Sequence, residues 1–367
     1  MNMRSRNRTR AVALVAALAL TAVACGGDDD DAAEPDTPST EAPDTPSTEA
    51  PDTPSTEAPA GDCTDPTEVK LQLQWFAQGQ FAGYYAAVDQ GFYADQCLDV
   101  EILEGGADIQ PHTVLANGGA DFAISWVSKA LAGREAGAEI TDIAQVFQRS
   151  GTLQVAWADS GITTVDDFAG KKIGNWGFGN EYEIFAALGQ ADLNPATDVE
   201  LVGQAFDMSG LLNREIDAAE AMTYNEYAQL LEAVNPDTGE LYQPDDFNVI
   251  NYTDVGVGML QDAIWASEAR LADADYHDTA VKFVAASLQG WAFCRDNVDA
   301  CVDITLAAGP TLGRSHQAWQ INEVNKLIWP SPEGAGFIVE ADWNNTVELS
   351  QNTPNLEGTT VLTAAPS

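Results

Sequence analysis

The stretch that most constrains this chain runs from Leu71 to Tyr93, LQLQWFAQGQFAGYYAAVDQGFY. Residues 69–75 alternate apolar and polar side chains, the two-residue period of a strand with one buried face. The alternation stops at the aromatic pair Trp75-Phe76 and polar Gln78 and Gln80 follow; Phe81, Tyr84 and Tyr85 then open a helical pattern that ends at Gly91. A strand that feeds a helix through a short loop is the repeating unit of an α/β sheet. In open sheets of that kind ligands sit outside the carboxyl ends of the strands, so this loop is a candidate binding platform. Phe81, Tyr84 and Tyr85 also fit the buried face of one amphipathic helix, and the pattern leaves both roles open.

The chain does not begin with this fold. Arg4, Arg6, Arg8 and Arg10 precede an apolar run at 11–24. That run is too short for a bilayer core of roughly 30 Å but suits a signal peptide. It ends Ala22-Val23-Ala24-Cys25, which resembles a bacterial lipobox with Ala22 where Leu is more usual. The resemblance implies cleavage before Cys25 and acylation of its sulfur. Residues 25–62 then form an acidic tether, with Asp28 to Asp31 followed by PDTPSTEA at 35–42, 43–50 and 51–58. With no large apolar residue from Gly26 to Asp62, this segment has nothing to bury and is expected to be an extended, disordered spacer.

Four cysteines remain beyond Cys25: Cys63, Cys97, Cys294 and Cys301. They allow three pairings, and the sequence-local one, Cys63–Cys97 with Cys294–Cys301, is expected in an oxidising compartment. Seven positions along one straight helix span about 10 Å, too far for a bridge. The second pair therefore predicts a helix break at Asp296-Asn297, with Asp299 as the new N-cap. No CxxC or HxxxH spacing is present and the chain has three His, so a metal site is not expected.

Of 57 acidic residues, 12 precede Cys63, leaving 45 in the folded part; of 16 basic residues, the four leader arginines leave six Lys and six Arg. So negative a field argues against nucleic acid and anionic membranes as partners, and suits solubility at high ionic strength.

The rest alternates strand and helix. Strands are predicted at 99–104, 121–126, 140–147 and 153–157 after the opening one, giving a largely parallel first sheet. A second set follows at 171–176, 199–202, 218–222 and 247–252. A strand at 259–266 leads back to the first lobe, and helices fill the remainder. Residues 63–158 and 259–350 are assigned to lobe 1, 159–258 to lobe 2 and 351–367 to a C-terminal tail. The expected fold is α/β, a two-lobed clamshell with a helical C-terminal part.

Three further loops place polar and aromatic residues directly after a strand. One is Trp126-Val127-Ser128. The second, Asn175 to Glu181, contains Trp176, Phe178 and Asn180, and its Gly177 and Gly179 leave backbone N–H groups open to a ligand at a helix start. Tyr182 stands where a third Gly of GxGxxG belongs, so a dinucleotide is not expected. The third, Met222 to Tyr227, carries Tyr224 and Glu226, although a carboxylate near a helix start is also favoured electrostatically. These loops offer indoles, phenols, amides and one carboxylate, with Arg149 as the only nearby cation. The set favours a flat, nitrogen-rich, roughly neutral ring over an anion.

At these residues the chain resembles a family. LQLQWFAQGQFAGYYAAVDQGFYADQCLDVEI, GGADFAISW, TTVDDFAGKKIG and AMTYNEY are similar to SsuA/thiamine-pyrimidine-type solute-binding proteins of ABC importers, over roughly residues 69–350. The resemblance implies the type II periplasmic-binding-protein fold, closing over a ligand and delivering it to a membrane permease. It implies ring stacking by Trp75 and Tyr84 and amine recognition by Glu226; Phe76, Gln80, Trp126, Trp176, Phe178, Asn180 and Tyr224 complete the candidate ligand set from loop position. A thiamine-precursor pyrimidine is the expected ligand, with riboflavin as the alternative and a sulfonate or nitrate further off. The expected protein is an extracytoplasmic monomer anchored through Cys25, without cofactor or catalytic residue. Related eukaryotic pyrimidine synthases are enzymes, but they carry a Cys cluster that this chain lacks. No GxSxG or HExxH supports a hydrolase, since Ser209 sits in DMSGL.

Overall fold

The structure, a computed structural model, describes residues 63–364 and Pro366. The signal peptide, Cys25 and the tether therefore lie outside the described residues.

Ten strands form two five-stranded sheets. The strands are β1 (Thr67–Gln72), β2 (Leu98–Leu103), β3 (Phe122–Trp126), β4 (Ile140–Gln145), β5 (Thr152–Trp157), β6 (Lys172–Asn175), β7 (Glu200–Gly203), β8 (Ala218–Met222), β9 (Phe247–Asn251) and β10 (Asp262–Ser267). The helices are α1 (Ala82–Asp89), α2 (Phe92–Asp95), α3 (Pro111–Ala116), α4 (Val127–Glu135), α5 (Tyr182–Gln190), α6 (Ser209–Leu212), α7 (Glu226–Glu232), α8 (Ala274–Asp296), α9 (Val298–Ala308), α10 (Arg314–Ile328) and α11 (Glu340–Asn352).

The first sheet runs β2-β1-β3-β10-β4 and the second β7-β6-β8-β5-β9. Each has three parallel strands followed by two antiparallel pairings, made by β10 in one and β5 in the other. The expected largely parallel sheet is thus mixed, because the strand that carries the chain between lobes enters each sheet against its neighbours. One lobe assignment changes as well: β5, expected in lobe 1, pairs with β8 and β9 and belongs to the second sheet. The first crossing therefore lies at residues 146–151, and the return crossing precedes β10.

Buried Gln145 and Gln261 tie the two crossings together. Gln145 Nε2 donates to the carbonyls of Phe147 (2.8 Å) and Gln261 (3.1 Å). Gln261 accepts from Gly151 N (2.9 Å) and donates to Thr152 Oγ1 (2.8 Å). Unpaired, such amides would be costly in an apolar interior; paired, they fix the two strands side by side.

Strands β3, β5 and β8 are buried along their whole length, as central strands covered on both faces must be. In lobe 1, Phe122 stacks on Phe283 of α8 at 4.4 Å while Val127, Ala130 and Trp265 pack on the opposite side. Both expected disulfides are present, Cys63–Cys97 and Cys294–Cys301. The helix breaks where the second bridge requires, but Asn297 rather than Asp299 is the N-cap of α9. Leu362 is buried against lobe 1, so the chain after residue 350 returns to the core. Among the described residues no helix is long and apolar enough to cross a membrane.

Candidate functional site

The carboxyl ends of β1, β3, β6, β7 and β8 converge on one cavity of about 90 Å³. Eight of the ten residues singled out from sequence line it: Trp75, Gln80, Trp126, Trp176, Phe178, Asn180, Tyr224 and Glu226. The other two do not. Tyr84 is 1% exposed and packs edge-on against Trp291 at 5.6 Å, so it is a core residue of α1, the alternative its helical spacing had left open. Phe76 is 54% exposed and packs edge-on against Trp75 at 5.3 Å, outside the cavity lining.

An aromatic wall crosses the cleft. Trp75 from the first lobe meets Phe206 of the second at 4.6 Å between ring centroids, and Phe206 stacks on Trp176 at 6.3 Å with 17° between planes. Trp176 is fixed from behind, its backbone N–H donating to Glu220 Oε2 (3.0 Å) and its indole N–H to Ala205 O (3.3 Å). Phe178 stands 66% exposed at the rim with φ 56°, flanked by Gly177 and Gly179, which also have positive φ. Holding a bulky residue in that region costs free energy, and such strain concentrates at binding sites. The backbone N–H groups of the two glycines are not open to a ligand as expected. Gly177 N–H donates to Asn175 Oδ1 (3.0 Å) and Gly179 N–H to Glu181 Oε2 (2.9 Å), which shapes the loop instead.

Glu226 is buried at the head of α7. Oε2 accepts from Met222 N–H (3.0 Å) and Oε1 from Asn225 Nδ2 (2.6 Å), so each oxygen keeps a lone pair for a ligand donor. Burial raises this carboxyl to about 7, those hydrogen bonds offsetting only part of the rise. Asp262 on β10 is likewise raised to about 7 by burial, and is held by Gln80 (3.0 Å) and Gln74 (2.5 Å). Glu220 lies well above the usual carboxylate range for the same reason.

The cation in the cleft is Lys129, not Arg149. Lys129 Nζ reaches across from α4 to donate to Asn180 Oδ1 (2.8 Å) and lies 4.2 Å from the Trp126 ring centroid. Burial lowers its ammonium to about 8, against the upward pull of Glu220 and the acids near it. Arg149 instead donates to the carbonyls of Trp329 and Pro330, both at 2.9 Å, just past the C-terminus of α10. Sequence reasoning passed over both Lys129 and Phe206. Phe206 follows β7 by three residues, so the same rule of aromatics after a strand finds it; Lys129 reads as an ordinary helix-surface cation.

This is the architecture of a solute-binding protein: two α/β lobes with a ring-lined cleft at the strand ends. The chain belongs to the NMT1/THI5-like family, whose sequence profile matches residues 78–300. It is 26% identical over 294 residues to the riboflavin-binding protein RibY of Chloroflexus aurantiacus, covering 77% of this chain and 80% of that one. It is 20% identical over 239 residues to a formylaminopyrimidine-binding protein of Halalkalibacterium halodurans, covering 65% and 69%. In fold it is similar to the periplasmic aliphatic sulphonate binding protein SsuA of Escherichia coli, with a TM-score of 0.54, 16% identity, and 70% and 79% of the two chains covered.

Proposed function

We propose that this protein captures a thiamine-precursor aminopyrimidine, of the hydroxymethyl or formylamino type, outside the cytoplasm and hands it to a membrane permease of an ABC importer. The observation that carries the reading is the pairing, in one cavity, of an aromatic wall from both lobes with a buried carboxylate that has free acceptor capacity. A flat ring satisfies the wall, and its exocyclic amine satisfies Glu226. Stacking contributes about 0.5–1.5 kcal/mol per ring pair beyond burial, and a hydrogen bond to a charged partner about 1.5–3 kcal/mol. Because the wall draws on both lobes, the ligand favours the closed form through contacts that an open cleft lacks. The kinship with a formylaminopyrimidine-binding protein supports the same ligand class.

Riboflavin is the second reading, favoured by the similarity to RibY over most of both chains. A sulfonate has less to recommend it, since the cleft cation already donates to Asn180 and faces several carboxylates. We read the chain as a binder and not an enzyme, in keeping with its two named relatives. The lipobox-like sequence at Cys25 supports anchoring to the outer face of the cell membrane through a lipid. Loss of fatty-acid labelling in Cys25→Ser is the expected outcome there; labelling that persists rules the anchor out.

The deciding experiment releases bound material from the purified protein, records its mass and absorbance, and titrates the emptied protein calorimetrically with 4-amino-5-hydroxymethyl-2-methylpyrimidine and with riboflavin. A small ultraviolet-absorbing base, or submicromolar to micromolar pyrimidine binding, supports the first reading. A yellow eluate moves the assignment to the flavin. Binding of neither ligand removes both.

A further inference from the structure

Lys129 stands where a cation is costly to hold. It lies in the first turn of α4, where the helix dipole disfavours positive charge, and it is only partly exposed. Burial lowers its ammonium to about 8, so it stays charged at neutral pH. Two contacts offset part of that cost: the face of Trp126, 4.2 Å from Nζ to the ring centroid, and Asn180 Oδ1 at 2.8 Å. An apolar side chain of similar length fills the same place without either penalty. Groups held against such costs concentrate at functional sites.

The ammonium also has donors to spare. Its three N–H groups meet, among the described residues, one hydrogen-bond acceptor, Asn180. That contact spans the cleft, since α4 belongs to the first lobe and Asn180 to the loop after β6 in the second. Asn180 is itself held, its Nδ2 donating to Gly177 O (2.6 Å), which leaves Oδ1 toward the lysine. Nζ is thus pinned over the Trp126 ring, and Lys129, Trp126 and Asn180 all line the cavity. Its remaining donors suit an oxygen acceptor. Glu220, Glu181, Asp262 and Glu183 all act on this ammonium, so a ligand anion placed there meets their repulsion and a neutral oxygen does not.

We propose that Lys129 is a specificity-determining residue: its ammonium donates to a neutral oxygen on the ligand, a hydroxyl or a formyl carbonyl, while Glu226 takes the amine. This rests on the reading of the ligand as an oxygen-bearing aminopyrimidine. The two groups come from different lobes, Lys129 from α4 and Glu226 from the head of α7, so a ring that carries both substituents is held from both sides of the cleft. The contacts are opposite in sense, because an ammonium only donates and a carboxylate accepts. A site built to hydrogen-bond one substituent rejects the analogue that lacks it more sharply than apolar contact does. The oxygen is therefore the feature that Lys129 reads.

The test titrates the full chain calorimetrically with 4-amino-5-hydroxymethyl-2-methylpyrimidine and with 4-amino-2,5-dimethylpyrimidine, which keeps the ring and the amine and lacks the oxygen. The native protein is expected to favour the hydroxymethyl compound about tenfold. Lys129→Met, and Lys129→Leu as a second apolar variant of another shape, are expected to lose that preference. Glu226→Gln is expected to weaken both compounds and keep it. Equal native affinities, or a preference that persists without Lys129, overturn the proposal. Equal weakening of both compounds in the Lys129 variants overturns it too, and makes Lys129 only a strut between the lobes. If Glu226→Gln changes neither affinity, the amine reading fails, while a preference lost with Lys129 still supports the proposal. Binding of neither compound overturns the pyrimidine reading and the role of Lys129 together.

Discussion

Glu226 carries a measurable conflict between binding and stability. Its carboxyl is raised to about 7 by burial, above its ordinary value of 4.5. A carboxyl raised on folding favours the folded state below the ordinary value, and that contribution is lost as pH rises through the folded one. At about 1.4 kcal/mol per pK unit, ionising Glu226 in the empty cleft costs on the order of 3 kcal/mol at alkaline pH. Glu226→Gln removes that cost. It is therefore expected to leave the melting temperature equal or higher at about pH 8, while weakening aminopyrimidine binding at least tenfold, about 1.4 kcal/mol. An unchanged dissociation constant in that variant takes Glu226 out of the site. Trp75→Ala tests the wall in the same way, with an expected affinity loss of roughly tenfold or more and little change in melting temperature, because Trp75 is only partly buried. Aromatic residues after strand ends identified most of this cleft from sequence, since strand ends are where the sheet stops covering side chains. Tyr84 departs from the rule because it lies a helical turn past the loop, where spacing turns it toward Trp291. The hydrogen bond from Gln320 Nε2 to Gln78 Oε1 behind the wall left no local trace at all: the two residues are 242 positions apart, and only folding makes them neighbours.

Among elements, the crossing of α1 and α8 is the tightest, and two glycines explain it. A methyl group on Gly83 would stand 2.2 Å from the Trp291 ring, and one on Gly290 would stand 2.0 Å from the Gly83 carbonyl oxygen. Neither gap has room for a side chain, so the helices meet backbone to backbone. Gly290→Ala is expected to destabilise the protein by about 1–3 kcal/mol, the usual cost of overpacking. Calorimetric melting measures this, and the variant that remains folded should bind ligand with native affinity. A melting temperature equal to the native one would mean the two helices are not in that contact. Sequence periodicity located all ten strands, because alternating or fully apolar runs bounded by Gly and polar residues have few other uses. It misplaced β5, since a strand's own residues do not say which of two sheets it joins; that is settled by its partners β8 and β9. The break between α8 and α9 was legible from the length of a straight helix set against a disulfide's reach. The capping residue was not, because Asn297 and Asp299 are equally good caps by type.

At the scale of the whole molecule, charge and burial predict an unusual response to pH and salt. Forty-five acidic residues against twelve basic ones leave the folded part strongly self-repelling. Screening should relieve this, so added salt is expected to raise the melting temperature. Asp142, Glu183, Glu226 and Asp262 are each raised to about 7 by burial, and burial raises Glu220 as well. Between the ordinary carboxyl range and about 7, the folded state holds protons that the unfolded chain has released. Stability therefore falls as pH rises across that window. Asp159, Asp167, Asp207 and Asp296 run the other way, held low by their hydrogen-bond partners, but their contribution is lost only below the ordinary carboxyl range. Lys129, lowered to about 8, adds stability only above that value, where the folded form has already released its proton. Scanning calorimetry should accordingly find the protein more stable at about pH 5 than at about pH 8, and molar salt should narrow the gap without closing it. Surface repulsion is screened by salt, whereas the cost of ionising buried carboxylates is screened far less. A gap that vanishes in molar salt would mean surface repulsion alone sets it, and that the buried carboxylates ionise without cost.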